Sequence, residues 1–131
     1  MSARIFVRMF AACLVLVWPA LGSAHQGTGA HGGQLADAGP YYVELILKET
    51  QLRVFVFDDK TDGAVHTADA SATATVLAGQ EKLDVTLQPG PPGADDNVMV
   101  GQLEKTADAV TRIVVLIRFP DKPSIIARFA F

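Results

Sequence analysis

The feature that most constrains this chain is an apolar alternation of period two that returns in short segments and is never replaced by a helical stripe. In Tyr41 to Lys48, Val43, Leu45 and Leu47 fall on one side and Tyr42, Glu44 and Lys48 on the other. That is the pattern of a strand with one face in a core. Glu49-Thr50 turns the chain into a second strand, Leu52 to Phe57, where Leu52, Val54 and Val56 oppose Arg53, Phe55 and Phe57. Further strands are expected at Ala72 to Leu77, Lys82 to Leu87, Val98 to Leu103, Val110 to Phe119 and Ile125 to Phe131, the last with Ile125, Ala127, Phe129 and Phe131 on one face. Turn-forming residues separate them, including Asp58 to Gly63, Ala78 to Glu81, Gln88 to Asn97 and Pro120 to Ser124. Glu104 to Val110 is too short for more than a turn of helix. About seven short strands in a single domain predict an all-β fold, an antiparallel two-sheet sandwich of immunoglobulin-like type, with a small barrel as the alternative. The core is expected to include Val43, Leu45, Val54, Val115, Ile117 and Phe129.

The first 24 residues follow a different rule. Arg4 and Arg8 precede the apolar run Met9 to Trp18, which ends in Pro19 and the small-residue stretch Leu21-Gly-Ser-Ala24. This is the order of a cleavable signal peptide, and the uncharged stretch is shorter than the roughly 20 residues of a spanning helix. The expected product is a periplasmic protein with no membrane anchor after cleavage, comprising a flexible Gly/His-containing leader over residues 25–40 and a β-domain over residues 41–131. Cys13 is the only cysteine and lies in the apolar run, so the fold is expected to stand without a disulfide. The chain carries 11 Lys and Arg against 14 Asp and Glu, and loss of Arg4 and Arg8 makes it more acidic still. Such a domain has no general attraction for nucleic acid.

Few residues carry chemistry. Gly27-Thr-Gly-Ala-His-Gly32 matches a dinucleotide-binding pattern by letter, but no strand precedes it and a strand follows it. Asp58, Asp62, Gly63 and Asp69 sit at positions of a calcium loop, yet Lys60 occupies a ligand position and neither flank is helical. Beyond the signal peptide the only serines are Ser71 and Ser124, neither in a nucleophile elbow. Nothing here argues for an enzyme.

The histidines say more. Cleavage after Ala24 makes His25 the N-terminal residue, so its α-amine and imidazole form a chelate suited to copper(II), with His31 or His66 as a second nitrogen donor. His66, just after a turn, reads as an exposed loop residue. Glu44, on the non-core face of the first strand, is placed to supplement imidazole ligands or to orient one of them.

The residues His31-Gly-Gly33, Tyr41-Tyr-Val-Glu-Leu45, Leu52-x-Val-Phe-x-Phe-x-Asp58, Leu87-x-Pro89 and Ala127-Arg-Phe129 resemble those of small exported β-domains that accompany heavy-metal and copper efflux systems. Some members stand alone and others are fused to a periplasmic efflux adaptor. The resemblance spans roughly His31 to Phe129. It implies metal binding through His31 and Glu44, and an efflux adaptor or another envelope protein as partner. The family's first strand usually reads Tyr-His-x-Glu-Leu, and this chain has Tyr42 in place of that histidine. The exported β-domain with an N-terminal histidine also looks like periplasmic copper carriers.

Overall fold

A computed structural model describes residues 27–104 and 109–131. The export segment, His25 and most of the Glu104 to Val110 stretch lie outside the described residues. Among the described residues the regular elements are eight strands: β1 (Gln34–Ala38), β2 (Tyr41–Lys48), β3 (Gln51–Asp58), β4 (Ser71–Ala78), β5 (Glu81–Pro89), β6 (Val98–Gln102), β7 (Val110–Arg118) and β8 (Ile125–Ala130). All pair antiparallel in the order β1-β2-β3-β6-β5-β4-β7-β8.

The all-β, antiparallel expectation holds, but the architecture differs from a seven-stranded, two-sheet sandwich. The far end of β5 pairs with β6 through Gln88 to Val100 and Pro89 to Met99, so the two halves form one continuous sheet. That sheet curls until its edges meet, where the Gln34 side-chain amide donates to the Ala130 carbonyl at 3.0 Å. A nearly closed barrel results, the shape that leaves least sheet edge exposed. The extra strand is β1, in the segment read as leader. Its sequence, Gln-Leu-Ala-Asp-Ala, carries little apolar pattern, and it forms because β2 offers a complete ladder from Gln34–Leu45 to Ala38–Tyr41.

Two-residue connections join β1 to β2, β2 to β3 and β4 to β5, and the first loop residue of each has positive φ: Gly39 (67°), Glu49 (56°) and Gly79 (63°). This matches the handedness that suits hairpin turns, and only Glu49 adopts it with a side chain.

The core lies inside the curl, where Val43, Leu45, Val54, Val115, Ile117 and Phe129 are all buried, as their alternation predicts. Phe131 departs from the expected face: it follows the end of β8 and is 54% exposed. At β2 and β3 burial is two-sided. Tyr42, Glu44 and Phe55, together with Val98 opposite Phe55 on β6, are buried yet stand outside the main core cluster. Over Glu44 and Phe55 the cover is the chain immediately before β1.

Candidate functional site

The covering segment is Thr28 to Gly33. Thr28 bridges to Gln34, Gly29 N–H donates to the Gly33 carbonyl at 2.8 Å, and Gly32 N–H donates to the Gly29 carbonyl at 3.0 Å. The resulting loop lies against β2 so closely that only glycine fits at two points. A Cβ on Gly29 would stand 2.3 Å from Glu44 Cδ, and one on Gly33 would stand 2.6 Å from the Leu45 carbonyl oxygen.

The loop closes around the Glu44 carboxylate. Oε1 accepts from His31 N–H at 2.8 Å and from Gly33 N–H at 2.9 Å, while Oε2 lies 2.8 Å from His31 Nδ1. Glu44 has no solvent exposure at all. Burial pushes its carboxyl pKa up, but the hydrogen bond from the His31 ring and the two backbone bonds outweigh it, and the net shift is downward. A buried carboxylate is tolerated here because every strong donor around it is aimed at it.

The His31 imidazole is held on a second side as well. It stacks on the fully buried Phe55 ring with centroids 3.9 Å apart and planes 9° from parallel. The Arg53 guanidinium also lies over Phe55, 5.3 Å from the ring centre. With Nδ1 committed to Glu44, Nε2 points toward Asp95 Oδ2, 3.6 Å away. One third of the His31 side chain remains exposed (33%).

Asp95 comes from the loop between β5 and β6, and that loop is tied to β3 from beneath. The Asn97 side-chain amide donates to the Val56 carbonyl at 3.0 Å, and Val56 N–H donates to the Asn97 carbonyl at 3.1 Å. The Thr67 N–H and hydroxyl both donate to the Asp96 carbonyl, at 3.0 and 3.2 Å. Asn97 and Thr67 are buried.

The four residues singled out by sequence therefore part ways. His31 and Glu44 meet, but they bond to each other, so Glu44 orients the imidazole rather than offering itself as a free ligand. His66 sits apart on an exposed stretch, with Nδ1 3.6 Å from Asp96 Oδ2 and its side chain 78% exposed. His25 lies outside the described residues. Among the described residues no three His, Cys, Asp or Glu side chains gather into a group able to hold a metal ion.

Tyr42, at the position where the resembled family carries histidine, stacks on Phe57 with centroids 5.0 Å apart. Its hydroxyl pKa is raised, first by burial and then by its hydrogen bond to Asp62. Asp95 and Phe55 were not anticipated as parts of the site. For Phe55 a signal existed, since an aromatic on a non-core face invites a cover. For Asp95 there was none, because it lies 64 positions after His31. No family model matches the chain, and no curated protein or solved structure matches it.

Proposed function

We propose that the chain is a periplasmic metal-handling domain that binds copper(II) or another heavy metal and works beside an efflux adaptor or another envelope protein. The observation that carries this reading is the Glu44–His31 Nδ1 bond. A carboxylate on one imidazole nitrogen is the usual support for a histidine whose other nitrogen binds a metal, because it fixes the ring and makes that nitrogen more basic. Here the supporting carboxylate is fully buried, the ring is stacked, and Nε2 is left facing the surface. The described residues supply too few donors for a closed site, so the rest of the shell comes from water or from the leader. His25 and its α-amine are the nitrogen donors nearest in sequence.

The competing reading is a metal-free β-domain that docks a larger envelope protein. Two exposed apolar side chains on or next to β8, Ile126 (43%) and Phe131 (54%), favour it. In that reading the Glu44 bonds serve only to fasten the loop.

Calorimetric titration with copper(II) separates the two. The processed protein, shown by intact mass to begin at His25, is expected to bind more tightly than the same domain carrying one extra residue ahead of His25. The extension turns the α-amine into an amide and leaves every imidazole in place. Replacing His31 with Ala is expected to produce a smaller loss than the extension. Equal, weak binding by all three forms would leave the docking domain as the better reading.

A further inference from the structure

His31 Nε2 faces Asp95 Oδ2 across 3.6 Å, while the other ring nitrogen is held by the buried Glu44 carboxylate. At 3.6 Å the pair is too far apart for a hydrogen bond. Two donors that each lie ~2.0 to 2.1 Å from one ion are separated by ~3.4 Å when they subtend a tetrahedral angle. The observed spacing is close to that value, and a small rotation of the exposed Asp95 side chain closes the difference. We infer that His31 Nε2 and the Asp95 carboxylate together bind one divalent cation of the zinc class, with Glu44 as the positioning residue. This inference deepens the metal-handling reading and rests on it.

Three further features suit the assignment. The donors are mixed, one imidazole nitrogen and one carboxylate oxygen, which fits zinc and its neighbours better than a hard cation that prefers oxygen alone. The imidazole is held from behind by Glu44 and Phe55, and the backbone next to Asp95 is anchored by the bonds of Asp96 and Asn97 to Thr67 and β3, which leaves the exposed Asp95 carboxylate free to turn. The Glu44 and Asp95 carboxylates flank the imidazole and favour a cation there, against the opposing charge of the Arg53 guanidinium, which lies 5.3 Å from the centre of the Phe55 ring. Two side chains leave the remaining positions to water, so the site is open and its ion exchangeable, as a buffer or carrier requires.

The neighbouring pair supplies an internal control. His66 Nδ1 and Asp96 Oδ2 stand at the same 3.6 Å, but among the described residues no second carboxylate backs that imidazole, and it is 78% exposed. It lacks the support that distinguishes His31.

The test is zinc(II) titration of the processed protein, followed by calorimetry and by the imidazole nitrogen resonances. Zinc is expected to move the His31 Nε2 resonance more than Nδ1. Asp95→Asn is expected to weaken zinc binding at least about tenfold, while leaving the melting temperature of the metal-free protein unchanged, because Asp95 is exposed. His66→Ala is expected to leave binding unchanged. Wild-type zinc affinity in Asp95→Asn, or a loss that follows His66 instead, would overturn the assignment. If copper(II) still binds through the N-terminal chelate in that case, this site fails and the metal-handling reading stands. If neither metal binds, both fail together.

Discussion

Glu44 holds His31 at two points, accepting its backbone N–H through Oε1 and meeting its ring Nδ1 through Oε2, each at 2.8 Å. One buried carboxylate thus fixes both the backbone and the side chain of a residue that sits 13 positions earlier. The same bonds make Glu44 the joint between β2 and the loop that covers it.

Acid stability should reveal that joint. The pKa of Glu44 is lower in the folded protein than the ordinary carboxylate value, so its contribution is fully present above about 4.3, the unfolded value, and is lost as pH falls through the depressed folded value. Glu44→Gln removes the charge while keeping the shape. It is expected to destabilise the protein by about 2 kcal/mol at neutral pH, the scale of hydrogen bonds to a charged group. Because the wild type loses this same contribution in acid, the gap between the two proteins should narrow as pH falls through the depressed folded value. Denaturant melts at several pH values measure it, and a gap that stays constant would mean that the buried carboxylate is not ionised in the folded state.

The loop's close approach gives a second prediction. At Gly33 the nearest obstacle to a Cβ is the Leu45 carbonyl oxygen at 2.6 Å, a backbone atom within a paired strand that cannot yield. Gly33→Ala should therefore lift the loop away from Glu44 and cost roughly 1 to 3 kcal/mol. Hydrogen exchange at the His31 and Gly33 amides should rise together in this variant. Protection unchanged at both amides would mean that the loop tolerates the methyl group without opening.

The sequence pattern reports which face of a strand points inward, and for that reason β2, β3, β4, β5, β6, β7 and β8 were all legible. Pattern alone does not report whether the other face is also covered. Glu44 and Phe55 thus read as surface residues, although the Thr28 to Gly33 loop covers them, and Tyr42 on the same face is buried beside Phe57. Strand β1 was missed for a related reason. Its residues are small or polar, and its place is set by the ladder on β2 rather than by apolar alternation of its own. The barrel depended on a two-pair junction between β5 and β6 at a proline-rich boundary, where composition suggested only a loop. At the site, His31 and Glu44 stand out in the sequence, and orienting the imidazole is one of the two roles that Glu44's position suggests. Asp95 came within reach only through the folded path of the β5–β6 loop.

Two buried side chains on neighbouring strands should behave differently because they face opposite ways. Leu45 belongs to the inner core and Phe55 to the outer cluster beneath His31. Truncating either to Ala removes a fully packed apolar group, and losses of roughly 2 to 5 kcal/mol for Leu45 and 3 to 5 kcal/mol for Phe55 are expected. The distinction lies in what else changes. Phe55→Leu keeps much of the volume but removes the flat surface on which the imidazole rests. A double-mutant cycle between Phe55→Leu and His31→Ala should show a coupling of about 0.5 to 1.5 kcal/mol, the range of stacked ring pairs. The corresponding cycle between Leu45→Val and His31→Ala should show much less, since Leu45 points into the barrel and makes no ring contact with His31. Equal coupling in the two cycles would indicate that His31 responds to general loosening of β2 and β3, and the stack on Phe55 would then have no separate role in holding the imidazole.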